Sequence, residues 1–192
     1  MNVLIVAATS AEISSEAIRD FPILITGVGM LNTAIKLTKA LHKKKYDLVI
    51  NMGVAGSFSS QIKIGDVVEV IEDSFSEIGF EDGEDFSEFT DFNVKAKFIV
   101  TARTSLRKVN AITVNTVHGN QNSIDNIIQR LKPDIESMEG AAIFQVCEEM
   151  KVACIQIRSI SNKVTKRNKD NWQLDLAIRN LNIEIENIVR SL

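Results

Sequence analysis

The sequence predicts an α/β fold: a three-layer α/β/α sandwich on a central twisted sheet, mostly parallel or mixed, with a pocket at the carboxyl ends of its strands. Short runs rich in Val and Ile alternate along the chain with amphipathic stretches, the order in which strands and their covering helices follow one another in such folds. Most of these runs are apolar without strict alternation, as strands covered on both faces are. The chain has 192 residues, 45% hydrophobic and 24% charged, the size and balance of one compact domain over 1–192.

In chain order, strands are expected at 3–8, 23–26, 48–52, 67–71, 98–101, 112–116 and 153–158. A helix is expected at 31–44, where Leu31, Ala34, Ile35, Thr38, Leu41 and His42 fall near one stripe. Further helices are expected at 123–131, 140–151 and 174–189. Pro133 stops the first of these, because its ring clashes with a continued turn. The segment 77–92 is acidic and aromatic, with Gly79 and Gly83 and little periodicity, and reads as a long excursion or a lid.

A net charge of −3 argues against an electrostatic grip on nucleic acid or an anionic membrane. The expected partner is a small molecule. Cys147 and Cys154 lie in apolar segments and read as buried free thiols. No Cys and His cluster has metal-ligand spacing, so no metal is expected. The apolar start, residues 1–8, lacks a basic flank and is too short for a signal peptide or a membrane span. A soluble, cytoplasmic protein is expected.

Two glycine-bearing turns follow buried strands: Thr26-Gly27-Val28-Gly29, and Asn51-Met52-Gly53-Val54-Ala55-Gly56-Ser57. Such turns serve as tight connections, or let a ligand approach the backbone next to free helix N-terminal amides. The first is not a dinucleotide fingerprint, because Asn32 stands where the third glycine belongs. Farther on, Glu136-Ser137-Met138-Glu139-Gly140-Ala141-Ala142 sets two carboxylates before a small-residue helix start. A solvated helix N-terminus, favoured by the dipole, and a buried acid with a task fit equally well. Arg158-Ser159-Ile160-Ser161-Asn162 lies at the end of a buried strand, where open α/β sheets place ligand contacts.

These segments, with Gly53-Val54-Ala55-Gly56 and Glu12, resemble the nucleoside phosphorylase and nucleosidase superfamily over nearly the whole chain. The glutamate, Met-Glu, Gly-Ala-Ala block followed by Arg158 and Ile160-Ser161 is the specific part. Within the superfamily, residues 76–86 and 167–172 look most like the futalosine hydrolases, which release hypoxanthine from futalosine on a route to menaquinone.

The resemblance implies a hydrolytic nucleosidase that needs no cofactor. It places Glu12 as the base that activates water, Arg158 beside that water, Met138 beneath the ribose, Glu139 on the ribose hydroxyls and Ser161 as the adjoining hydroxyl. Gly53, Ala55 and Gly56 form the substrate-binding turn. Cleavage of a ribosyl C–N bond passes through an oxocarbenium-like state that carboxylates stabilise. Phosphorolytic relatives carry an arginine just before the second glycine turn, where this chain has Asn51-Met52. Water is therefore the expected acceptor.

Adenine-cleaving members carry an Asp where this chain has Asn162. An amide donates to the imidazole nitrogen and the 6-oxo group of hypoxanthine, both acceptors. A 6-oxopurine nucleoside is the expected substrate, and methylthioadenosine/adenosylhomocysteine cleavage or silent nucleoside binding are the alternatives. His118 borders the base segment in such relatives and also reads as a packing histidine. The distal carboxylate of futalosine calls for a donor, with Arg167 or a neighbouring subunit as candidates. Members of the superfamily are oligomers, so a homo-oligomer with an exposed apolar patch is expected.

Overall fold

The computed structural model of the chain describes residues 1–83, 85–89, 91–166 and 168–192. Its first half runs β1 (Val3–Ala7), a 3₁₀ turn (Ser10–Glu12), α1 (Glu16–Arg19), β2 (Ile23–Ile25), α2 (Met30–Lys43), β3 (Leu48–Ser57) and β4 (Val67–Phe75). Then come β5 (Phe80–Asp82), β6 (Asp85–Ser87), β7 (Lys97–Ile99), β8 (Arg107–Thr113), α3 (Gln121–Leu131) and β9 (Ile135–Ser137). The chain finishes with α4 (Gly140–Glu149), β10 (Ala153–Lys163) and α5 (Leu174–Arg190).

The sheet is mixed. β2, β1, β3 and β10 are parallel neighbours, β10 pairs antiparallel with β4, and β4, β8 and β9 are parallel. The end of β9 then returns to the end of β3, antiparallel at Gly56 and Ser57. The sheet thus curls until β3, β10, β4, β8 and β9 close a ring. Closure depends on β3 and β10 running farther than their apolar runs suggest. Gly53–Ser57 and Ser159–Lys163 are poor strand formers alone, but each supplies the other's ladder, with Ile160 opposite Ala55 and Lys163 opposite Ser57.

Alternation along β1 splits the core in two. Leu4 and Val6 pack with Leu37 and Leu41 of α2 and with Ile143 and Phe144 of α4. Val3 and Ile5 pack with Ile18 of α1 and with Leu181 and Ile185 of α5. Helices therefore cover both faces of the sheet, as the α/β/α expectation requires. The stripe read on α2 is corrected: Thr33, Leu37 and Leu41 face the core, one i,i+4 row, whereas Leu31, Ile35, Thr38 and His42 are exposed. Leu31 and Ile35 instead join Val28 as exposed apolar residues at one end of that helix.

Pro133 acts as expected. α3 ends at Leu131, and Lys132 takes the left-handed conformation with φ 47° before the proline. The segment 77–92 contains the β5–β6 hairpin, with Arg130 stacked 3.9 Å from the centre of the Phe86 ring. Among the described residues, no helix is long and apolar enough to cross a membrane.

Candidate active site

A cavity of about 580 Å³ opens where the carboxyl ends of β1, β3, β9 and β10 converge, walled also by Val28, His118, residues from 165–172 and the start of α5. Seven of the nine residues to which the resemblance gave a role line it: Glu12, Ala55, Gly56, Met138, Glu139, Ser161 and Asn162. Arg158 and Gly53 lie one layer beneath.

Glu12 is 8% exposed. Its 3₁₀ turn folds back so that Oε2 accepts from the Thr9 backbone amide at 2.8 Å and the Thr9 hydroxyl at 3.3 Å, while Oε1 accepts from Val54 N–H at 3.3 Å. A short turn after β1 thus fixes this carboxylate against β3. Glu139 approaches from the start of α4, with Oε1 accepting from Gly29 N–H at 3.0 Å. Gly29 can present that amide because it sits at φ 97°, a conformation that strains other residues. Burial raises the Glu139 carboxyl above the ordinary range and the nearby Glu12 charge adds to this, against the lowering pull of Arg158 and the Gly29 amide.

Arg158 is 1% exposed. Its Nη2 donates to Asn51 Oδ1 at 2.6 Å and its Nε to Gln156 Oε1 at 3.1 Å. Gln156 Nε2 donates to Asp73 Oδ2 at 3.0 Å, Thr113 Oγ1 to Asp73 Oδ1 at 2.9 Å, and Ala141 N–H at the start of α4 to Thr113 Oγ1 at 2.7 Å. This polar chain crosses the inside of the closed ring and ties Arg158 to the helix that carries Glu139. Asp73, fully buried, is pushed up to about 6 by loss of hydration. Gly53 makes room for the arrangement: a methyl carbon there would lie 2.0 Å from Arg158 Nη1 and 3.1 Å from Glu12 Oε1. The guanidinium and the carboxylate face each other across this glycine.

β10 carries an irregularity between Ile160 and Asn162, opposite Ala55 and Gly56, which leaves Ser161 as the extra residue. Such a bulge re-aims side chains, and here both Ser161 and Asn162 reach the cavity. Ser161 Oγ donates to Asn162 Oδ1 at 2.8 Å, and Asn162 Nδ2 donates to the Lys163 carbonyl at 3.0 Å. The carbonyl only accepts, so it settles which end of the amide is nitrogen. Asn162, Gly56 and Glu136 are side by side across β10, β3 and β9.

Glu136 and His118 were the residues whose assignment the sequence left open. Glu136 is 4% exposed and accepts from His118 twice, from the backbone amide at 3.1 Å and from ring Nδ1 at 2.6 Å. Both line the cavity, and Phe58 meets the imidazole edge-on. Only strand register brings them together. Segment 165–172 supplies Lys166, Asn168, Asn171 and Trp172 to the wall; Arg167, named above for the distal carboxylate, lies outside the described residues. Among the described residues, none of 77–92 lines the cavity, and no group of three or more His, Cys, Asp or Glu is arranged to hold a metal ion.

Residues 22–192 match the family described as the phosphorylase superfamily. A 5'-methylthioadenosine/S-adenosylhomocysteine nucleosidase of Shewanella halifaxensis is 31% identical over 160 residues, 75% of this chain and 69% of its own length. The enzyme of the same name from a Marinomonas species is 25% identical over 188 residues, 90% of this chain and 81% of its own. Two solved Helicobacter pylori structures superpose with TM-scores of 0.86: a methylthioadenosine-bound mutant nucleosidase at 16% identity, covering 100% of this chain and 99% of that one, and futalosine hydrolase at 15%, covering 99% and 97%. At those identities the structures speak for the fold, and the sequence matches for descent: this chain belongs to the phosphorylase superfamily.

Proposed function

We propose that the chain is a hydrolytic nucleosidase acting on a 6-oxopurine nucleoside, and that its substrate is futalosine, cleaved to hypoxanthine and dehypoxanthinyl futalosine in menaquinone biosynthesis. The observation that carries this is the fixed amide of Asn162. With Oδ1 held by Ser161 and one Nδ2 hydrogen on Lys163 O, the remaining N–H is what it offers a purine. Set against the 6-position, that donor is accepted by the 6-oxo group of hypoxanthine and not by the 6-amino group of adenine; the imidazole nitrogen accepts in both bases.

In this reading Glu12 removes a proton from the attacking water, Glu139 holds the ribose hydroxyls and Met138 packs beneath the sugar. Two acids close to the ribose also stabilise the oxocarbenium-like state. Arg158 acts from below, through its charge and through Asn51 and Gln156. Water as acceptor is supported by the scarcity of cations at the wall: Lys163 Nζ is spent on the carbonyls of Ser59 and Ile62, which leaves exposed Lys166 among the described residues. The exposed Leu31 and Ile35, which follow Val28 of the cavity wall along the start of α2, support a homo-oligomer.

A second reading, methylthioadenosine/adenosylhomocysteine cleavage, is favoured by the sequence relatives. Incubation with futalosine and with methylthioadenosine in phosphate-free buffer separates the two. Free hypoxanthine from futalosine is expected. Free adenine with no hypoxanthine selects the second reading, and binding without release of either base marks a silent nucleoside-binding protein.

A further inference from the structure

A purine leaving its ribose takes the electron pair of the broken C–N bond, and a proton on the imidazole nitrogen lowers the cost of that charge. Asn162 has no such proton to give, and Lys163 O already occupies one of its two amide hydrogens. The same edge of a 6-oxopurine carries two acceptors, so a second donor with an acidic hydrogen is called for.

His118 stands at that end of the cavity. Its partner Glu136 is opposite Gly56, and Gly56 is opposite Asn162; a methyl carbon on Gly56 would be 3.2 Å from Asn162 Nδ2 and 3.6 Å from Glu136 Cγ. Among the described residues every hydrogen bond to the Glu136 carboxylate comes from His118. A carboxylate on Nδ1 fixes the orientation of the ring and leaves Nε2 as the working atom. The hydrogen bond given for the ring among the described residues runs through Nδ1.

We propose that His118, oriented by Glu136, is the proton donor to the departing base. This rests on the nucleosidase reading above. As the C–N bond breaks, its electron pair goes to the purine and the Nε2 proton of the imidazolium passes to the imidazole nitrogen of the base. The oxygen of water bonds to the ribose carbon and its proton goes to Glu12. Neutral His118 recovers a proton from solvent through the cavity, with Nδ1–H kept on Glu136, and Glu12 returns its proton to solvent. Glu136 is a positioning residue; it does not touch substrate.

The test compares kcat/KM for an inosine-type nucleoside with that for p-nitrophenyl riboside, whose phenolate leaves without a proton. His118→Gln should lower the ratio of the two by about 100-fold or more, the usual contribution of a positioned acid. His118→Asn should do the same, and Glu136→Gln should shift the ratio in the same direction by less. Equal losses on both substrates in both His118 variants, or no loss, overturn the proposal. A second readout needs no surrogate: on the nucleoside, wild-type kcat/KM should fall on the alkaline side, and a fall that persists in His118→Gln overturns the proposal. The charge in contact with His118 is Glu136 from β9; Phe58 covers the ring edge, and Lys163 of β10 is turned to Ser59 and Ile62. A wild type that cleaves neither substrate sinks the nucleosidase reading; one that cleaves the nucleoside equally well without His118 sinks this inference alone.

Discussion

Inside the ring of strands, Asn51, Arg158, Gln156, Asp73 and Thr113 form an unbroken chain in which each side chain meets a partner, whereas at the carboxyl ends of neighbouring strands Glu12, Glu139, Asn162 and His118 keep hydrogen-bonding capacity turned to the cavity. The two regions lie one layer apart. Pairing of each side chain below makes a rigid support, as connected buried polar networks do. Unspent capacity above is what a ligand can use. Depth thus separates groups tied to one another from groups open to a ligand, and the predictions probe that division.

The largest effect is expected at Glu12. Glu12→Gln keeps shape and removes the proposed base, so kcat should fall by about 100- to 10,000-fold with KM little changed. Glu139→Gln, on the ribose, should weaken binding and turnover together. If Glu12→Gln raises KM in step with its loss of kcat, Glu12 is a sugar ligand and the assignment fails.

A smaller effect is expected in the interior. The Asp73 carboxyl lies near 3.8 unfolded and at about 6 folded. Between those values the folded chain holds a proton that the unfolded chain has lost, so stability drops as pH rises through that window, by about 3 kcal/mol for this group. Asp73→Asn removes the titration. Urea unfolding of both proteins between pH 4 and 7 should show the wild type losing stability relative to the variant by about that amount. A pH-independent difference contradicts the burial argument.

The fold class was legible because runs such as Val3–Ala7 are apolar on both faces, and the end of α3 because Pro133 blocks continuation; its start, capped by Asn120, lies two residues before the expected 123. The second halves of β3 and β10 were not, since Gly53, Gly56, Ser159 and Ser161 form strand only as each other's partners. Of the site, Glu12, Glu139 and Asn162 came through motif resemblance. His118 stayed ambiguous, because its pairing with Glu136 comes from the parallel register of β8, which leads into its loop, with β9, and not from spacing. Arg158 was legible as a polar residue at a strand end; its depth was not, since it depends on the room left above Gly53.

The central claim, that Asn162 offers a donor to a 6-oxopurine, is tested most directly by kcat/KM on matched inosine-type and adenosine-type nucleosides for the wild type and Asn162→Asp. An oxygen in place of Nδ2 would face the Lys163 carbonyl and must carry a proton there, so the variant should lose activity on the inosine type and gain some on the adenosine type. A buried polar group left unpaired costs about 1 to 3 kcal/mol, so the wild type should prefer the 6-oxo base by roughly one to two orders of magnitude. A wild type that prefers adenine contradicts both the placement of Asn162 against the base and the futalosine reading.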